Sequence, residues 1–358
     1  MPTLRVATWN IEWMVGLFNG RWKDWDGTIP ARFAGRTLGD IRLDAIEDVP
    51  ALAARIAGVI RRLRPDVLAV QEGPPLAAQM EHFAARFLDD DYVVAGSNAT
   101  WQSTYILVRR ALAGGLAKVP ADAPGMAALT GSFFFYPWQG FRVADRRKHQ
   151  FAREPVCVDL TLPNGKRIAF VNVHLKSKFS RLKTLAQWEA REPAAMLDAL
   201  DVRQKVSAEV AALRRYVSLR LLMSDVPDGL VILGDFNDGP FGELFEAEFL
   251  LHNILDEMVG SFLEPDLLLR HAMKPEVLRA ASSVTFNDPL QGGAEVKELI
   301  DHVIVSPRMM APRNPVRLHQ ASCRVEDKAW AAFTEGDGKG ARGLRPSDHM
   351  PVSATFGY

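Results

Sequence analysis

The feature that most constrains this chain is a set of six polar clusters, each cutting short a run of apolar residues. They are Asn10 with Glu12, Gln71-Glu72, Asn172 with His174, Asp235 with Asn237 and Asp238, Asp301-His302, and Ser347-Asp348-His349. Carboxylates, amides and imidazoles are costly to bury without partners. A fold that gathers all six at strand ends lets them satisfy one another. Side chains alternate faces along a strand, so Asn10 and Glu12 project together, as do Asn172 and His174, and as do Asp235 and Asn237 if the strand persists that far. Three such pairs can converge on one pocket.

Between the clusters the apolar spacing switches between strand and helix. Residues 4–10 read as a buried strand. Val49, Leu52, Ala53, Ile56, Val59, Ile60 and Leu63 recur at three- and four-residue spacing and make one helical face that ends before Pro65. Residues 66–71 read as a second buried strand, followed by strand-like runs at 92–95, 104–109, 156–162 and 167–173. Pro163-Asn164-Gly165, between the last two, is a hairpin signal. Val202, Val206, Val210, Leu213, Val217 and Leu221 form a stripe that predicts a helix over 201–223, placed as a crossover between two clusters. Further buried strands are expected at 230–233, 299–305 and 351–356. The hairpin and the strand-rich middle oppose a purely parallel sheet. The expected class is α/β, with two mixed β-sheets packed together and helices outside. Residues 1–358 are expected to form a single domain, with insertions near 13–44 and 178–201 that are too long for ordinary connections.

Composition narrows the function classes. The 43 basic residues are balanced by 43 acidic ones, so no global cationic field draws in a polyanion. That argues against tight, nonspecific duplex binding, while a metal and a local basic patch remain able to hold one phosphate. The two cysteines, Cys157 and Cys323, are too few for a disulfide scaffold and are not spaced as a metal site. No apolar run is long enough to span a bilayer and the first residues lack a signal peptide's pattern, so stable membrane insertion is not expected and a cytoplasmic location is. No protein partner is inferred.

Glu, Asp and Asn oxygens suit a hard cation such as Mg²⁺, which needs only one or two carboxylates plus substrate phosphate. The other acids and histidines are then free for proton transfer. Thr8-Trp9-Asn10-Ile11-Glu12, Val70-Gln71-Glu72, Arg153-Glu154-Pro155, Asn172-Val173-His174, Gly234-Asp235-Phe236-Asn237, Ile300-Asp301-His302 and Ser347-Asp348-His349 occur in an order that resembles the endonuclease/exonuclease/phosphatase superfamily, which includes deoxyribonuclease-I-like enzymes. The resemblance implies a four-layer α/β/β/α sandwich and hydrolysis of a phosphate ester with Mg²⁺, or Mn²⁺ in its place. It implies Glu72, Asp348 and Asn10 around the metal, with Glu12 a further candidate. Asp235 and Asn237 would orient the attacking water and the phosphate. His349, held by Asp301, and His174 match paired histidines; one assignment makes His349 the base and His174 the proton donor, and another makes Asp235 the base. Arg153 and Asn172 are candidates for binding the substrate phosphate, a guanidinium offering paired donors to phosphate oxygens.

The resemblance leaves the substrate open. A phosphodiester cut in the manner of a nuclease ranks first, with a phosphomonoester or a phospholipid as alternatives on the same fold. A catalytically silent binding module is the reading of another class. Arg142, Arg146, Arg147 and Lys148 form a local basic group that reads as a solvated loop or as a patch steering a phosphorylated substrate. The segment 133–138, Phe-Phe-Phe-Tyr-Pro-Trp, is expected to be a core strand with turn residues rather than a membrane-touching hairpin. His302 would face away from Asp301 and is expected to be structural. Trp9 and Trp13 are expected to pack, and residues 336–343 to form a flexible, charged loop, either a mobile one at the site's rim or an ordinary solvated one.

Overall fold

Two strand–helix–strand units organise the molecule, one in each of two sheets. The computed structural model describes residues 2–19, 25–38, 41–99, 101–138, 140–249 and 251–358, without the side chains of Leu38 and Pro289. Strand Thr3–Asn10 runs parallel to Val67–Gly73, joined through helix Val49–Leu63. Strand Arg167–His174 runs parallel to Gly229–Asp235, joined through helix Pro193–Leu222. Each pairing of this kind needs a crossover, and the helix supplies it. The remaining pairings within the two large sheets are antiparallel.

The first sheet has seven strands, with Thr3–Asn10 between Val67–Gly73 and the last strand, Val352–Gly357. The second has six, with Gly229–Asp235 between Arg167–His174 and Asp301–Val305. Inward-facing residues of both sheets, among them Val6, Ala69, Ile106, Phe170, Leu233 and Val303, form one core between them. The outer face of the first sheet packs on helix Val49–Leu63 through Leu52, Ile56 and Ile60. The outer face of the second packs on helix Pro193–Leu222 through Val206, Val210, Leu213 and Val217. These cores separate four layers, helix, sheet, sheet and helix, as the apolar pattern requires.

Local signals act where the sequence places them. Asp48 caps the first helix, accepting from Ala51 N–H at 2.9 Å, and Arg64 ends it in a left-handed conformation. Gly165, at a φ of +78°, turns the hairpin between Val156–Thr161 and Arg167–His174. The second helix begins at Pro193, eight residues before the expected 201. Its first turns face a separate small core: Ala195, Met196 and Ala199 pack with Leu182, Trp188 and Phe245, so the stripe that begins at Val202 misses them. The stretch 178–201 is therefore partly helical, with a short helix Leu185–Glu189 before the long one.

In the stretch 13–44, residues 20–24 and 39–40 lie outside the described residues. The rest is anchored by buried Met14, Leu17, Phe18, Phe33 and Leu43 in the core of the first helical layer. The expected core strand at 133–138 is corrected. Among the described residues Ser132–Phe135 pairs only with Arg147–Gln150, outside both large sheets, and Phe134, Tyr136 and Trp138 are exposed. Among the described residues no helix is long and apolar enough to cross a membrane.

Candidate active site

Register alone places three candidate residues in a row. His174 lies opposite Asp235 in the parallel pair, and Asp235 lies opposite Asp301 in the antiparallel pair beside it. In the other sheet Asn10 lies opposite Gln71. Gly234 allows the first row: a Cβ there would stand 1.9 Å from the Val173 carbonyl oxygen, at a φ of +145°.

The strands then end in left-handed turns. Strand geometry stops at Asn10 and Asp235, so alternation does not carry on to Glu12 and Asn237 as expected. Glu12, Trp13, Glu72 and Asn237 instead have φ of 29, 53, 54 and 54°. Residues with a Cβ occupy this region sparsely, and such strain concentrates at functional sites. At Glu72 the turn coincides with a register shift between Val70 and Gly73, a bulge that re-aims the carboxylate.

The side chains interlock across the two sheets. The Asn10 amide nitrogen donates to Asp235 Oδ2 at 2.9 Å and to Glu72 Oε1 at 3.3 Å. Trp13 N–H donates to Glu72 Oε2 at 2.8 Å. Asn237 donates from its backbone to Asp235 Oδ1 at 2.8 Å and from its side chain to the Leu175 carbonyl at 3.0 Å. His174 Nε2 lies 3.4 Å from Asp235 Oδ2. His349 Nδ1 is 2.7 Å from Asp301 Oδ2. Trp9, fully buried, donates from its indole to the His349 carbonyl at 2.9 Å, which ties the last cluster to the first strand.

Two expected roles do not survive this geometry. Asn172 is fully buried between the sheets; its amide nitrogen donates to the carbonyls of Val70 and Tyr105 at 2.9 and 2.8 Å, and its oxygen accepts from Gln71 at 2.6 Å. With its amide so engaged, it braces the sheets and does not reach a substrate. Glu12 turns from the cleft to a pair of arginines, 3.3 Å from Arg342 Nε and 3.2 Å from an Arg345 terminal nitrogen. Its Oε2 also accepts the Asp348 N–H at 2.8 Å. Glu12 thus holds the backbone of Asp348 and has little left to offer a cation.

Burial dominates the electrostatics. Burial first, then Asp348, pushes Glu72 up to about 7, and burial, then Asp301, pushes Asp235 up to about 6. His174 is driven well below the ordinary imidazole value by burial, with Arg153 and His349 adding to it. Burial also opposes charge on His349, yet Asp301, then Asp348 and Asp235, hold it well above that value. The protein's own groups therefore favour a protonated His349 and a neutral His174, the reverse of the assignment that makes His349 the base.

The donor chemistry fits a hard divalent cation. Glu72 and Asp348 repel one another in a buried setting, a cost that a cation would relieve. Among the described residues another grouping, Asp235, Asp301 and His349, brings donor atoms within 4.8 Å of one another. Asp301 and His349 are already bonded to each other, and this favours proton handling there. His302, as expected, is structural: its Nε2 donates to the Asp238 carbonyl at 2.9 Å, and its Nδ1 accepts from His271 Nε2 at 3.1 Å.

Asn10, Glu72, His174, Asp235, Asn237 and His349 line one cleft of about 470 Å³, with Arg153, Lys176, Trp13 and Phe179 completing its walls. Asp348 opens toward two adjoining cavities of about 130 and 560 Å³. Sequence reasoning missed Lys176, Arg342 and Arg345. Lys176 carried a signal, standing two residues after His174. The arginines carried none: Arg342 falls in residues 336–343, which read as a loop although it is buried, and Arg345 belongs to no motif.

The chain matches the model of the Endonuclease/Exonuclease/phosphatase family over residues 7–349. No curated protein matches it. Its fold is similar to that of an AP endonuclease from Leishmania major (TM-score 0.52, 15% identity, covering 99% of this chain and 88% of that one). It is also similar to a mannosyl-6-phosphatase from Bacteroides thetaiotaomicron (TM-score 0.51, 14% identity, 99% and 100% covered). A further endonuclease/exonuclease/phosphatase family protein from Bacteroides thetaiotaomicron gives a TM-score of 0.50 at 14% identity, with 99% and 98% covered. At such identities the likeness speaks to the fold alone, and it is the family match, running from the first strand to the last polar cluster, that places this chain in the Endonuclease/Exonuclease/phosphatase family, whose members hydrolyse phosphate esters.

Proposed function

We propose that the chain is a divalent-cation-dependent phosphodiesterase. The observation that carries this reading is the convergence of Glu72, Asp235, His174 and His349 with Arg153 and Lys176 in one cleft, with two further cavities lined by Asp348 that offer room beyond it. A monoester needs room on one side of phosphorus, whereas a diester needs it on both.

Glu72, Asp348 and Asn10 would hold Mg²⁺ or Mn²⁺. When bound, such an ion supplies positive charge for the phosphoryl and leaving oxygens. Arg153, itself steadied by a 2.5 Å bond to the Leu175 carbonyl, binds the phosphate, and Lys176 adds a second cation to the same wall. Asp235, with Asn237 bonded to it, orients the attacking water and takes its proton; neutral His174 lies against Asp235 and keeps it in place. His349, held by Asp301, donates a hydrogen bond to the phosphoryl oxygen as negative charge grows there.

The test compares bis-p-nitrophenyl phosphate with p-nitrophenyl phosphate in Mg²⁺, Mn²⁺ and chelator. Cation-dependent hydrolysis, faster on the diester, is expected. Faster hydrolysis of the monoester would make the chain a phosphatase, and no hydrolysis of either would favour a binding module.

A further inference from the structure

We infer that the hairpin formed by Ser132–Phe135 and Arg147–Gln150 is a platform for single-stranded nucleic acid, which its outer face leads into the cleft. This rests on the phosphodiesterase reading and names a substrate class for it. The hairpin belongs to neither large sheet. Its two faces differ in kind. Exposure alternates from Ser132 to Trp138, leaving Phe134, Tyr136 and Trp138 outward at 54, 48 and 44% exposure. The strand ends at Phe135, and Tyr136 and Trp138 follow in the turn beyond it, so the three exposed rings fall within five residues at the hairpin's outer end.

Cations are interleaved with the rings. Lys148 is the cross-strand partner of Phe134, and the Arg146 guanidinium lies 4.3 Å from the centre of that ring. Neither Arg146 nor Lys148 has an acidic partner among the described residues. Residues 132–150 hold four basic side chains against one acidic, Asp145, in a chain whose total charge is zero. Aromatic faces for bases and cations for phosphates are what a single strand requires, and stacking is tolerant of sequence.

The inner face ties the hairpin to the cleft. Phe133 packs edge-on against His149 at 5.6 Å, and His149 Nε2 meets the buried Glu209 at 3.0 Å. The other oxygen of Glu209 accepts the backbone N–H of Lys176, in the cleft wall, at 2.7 Å. The second strand of the hairpin ends at Gln150, three residues before Arg153, a reach of at most about 11 Å. The hairpin therefore leaves the chain near Arg153 and carries the rings at its opposite end. A polyanion bound to those rings would have its next phosphates within reach of the cleft. The loop at the hairpin's tip also carries Phe141 and Val143, at 85 and 74% exposure, with Arg142 between them, so a bilayer is the competing occupant that the vesicle arm of the test decides.

The test uses the full chain with fluorescein-labelled dT15 and dT3 in chelator, where anisotropy reads binding without cleavage. The unmodified chain should bind dT15 far better than dT3. Phe134→Ala, Tyr136→Ala and Trp138→Ala together should weaken dT15 binding at least 100-fold, at roughly tenfold per ring, and leave hydrolysis of bis-p-nitrophenyl phosphate unchanged. Arg146→Gln with Lys148→Gln should lower the slope of log affinity against log salt by about 1.4. Equal affinity for the two lengths, or dT15 binding that survives the triple substitution, overturns the inference. So does binding to phosphatidylserine vesicles that the triple substitution abolishes in a chain that ignores dT15. Failure to hydrolyse the small diester would instead overturn the phosphodiesterase reading.

Discussion

Replacing His271 by glutamine should change how stability depends on pH, by an amount the structure sets. His302 gives its only proton to the Asp238 carbonyl, so its Nδ1 must accept from His271, whose own Nδ1 accepts the Met273 N–H at 3.1 Å. Both rings are neutral and all four nitrogens are used. A further proton on either would set one N–H against another. Burial first, then His302, takes His271 from 6.5 down to about 3, and burial takes His302 to about 4. In the unfolded chain both protonate near 6.5, so below that value the unfolded state binds more protons. Their contribution to stability is complete above pH 6.5 and is lost as pH falls toward 4 and 3. Each histidine contributes a slope of about 1.4 kcal/mol per pH unit, and the pair removes roughly 4 kcal/mol between pH 7 and pH 5. Raised carboxylates, Glu72, Asp235 and Glu246, act with the opposite sign in part of this window, so a single curve is not diagnostic. The difference is. Urea unfolding of the chain and of His271→Gln at several values between pH 6.5 and 4.5 should give slopes that differ by about 1.4 kcal/mol per unit. Identical slopes would refute the neutral pair.

Glu72→Gln should lower cation-dependent hydrolysis by at least about 100-fold while leaving the circular dichroism spectrum unchanged, since an amide is a poor ligand for a hard cation; full activity in chelator would sink the metal site. His349→Ala and Asp301→Asn should each impair kcat/KM, and the double variant should be little worse than the poorer single one, because the pair acts as a unit; multiplicative losses would separate them. Arg153→Ala should raise KM for every phosphate ester the chain hydrolyses, and an unchanged kcat/KM on all of them would remove it from the site. Arg342→Met should destabilise the fold by about 3 kcal/mol, read by urea unfolding, by leaving buried Glu12 short of a partner; a loss under about 0.5 kcal/mol would show that Arg345 alone suffices.

The fold was legible because its two parallel units announce themselves. An amphipathic stripe at Val49–Leu63 between two apolar runs, and another from Val202 between two more, leave few topologies open. The site was legible as a set of residue types at strand ends. What periodicity does not encode is where a side chain points once its strand has stopped. Glu12, one turn past Asn10, takes its direction from Arg342 and Arg345, more than 300 residues away in the chain. Asn172 sits on a strand beside site residues, and only the second sheet packed against it shows why an amide belongs there. The aromatic run at 133–138 misled for a related reason: alternation tells a two-faced strand from a helix but does not say which face meets a core.

The first strand pairs with the last, Thr3 opposite Gly357 through Thr8 opposite Val352. Ser347 Oγ donates to the Asn10 carbonyl at 2.7 Å across the same seam. A chain still emerging from the ribosome therefore holds Asn10, Glu72, His174 and Asp235 long before it holds Asp348 and His349. Through that interval Thr3–Asn10 has one open edge, a template for pairing with other strands. The candidate site is complete only when Val352–Gly357 closes that edge and brings Asp348 and His349 in together.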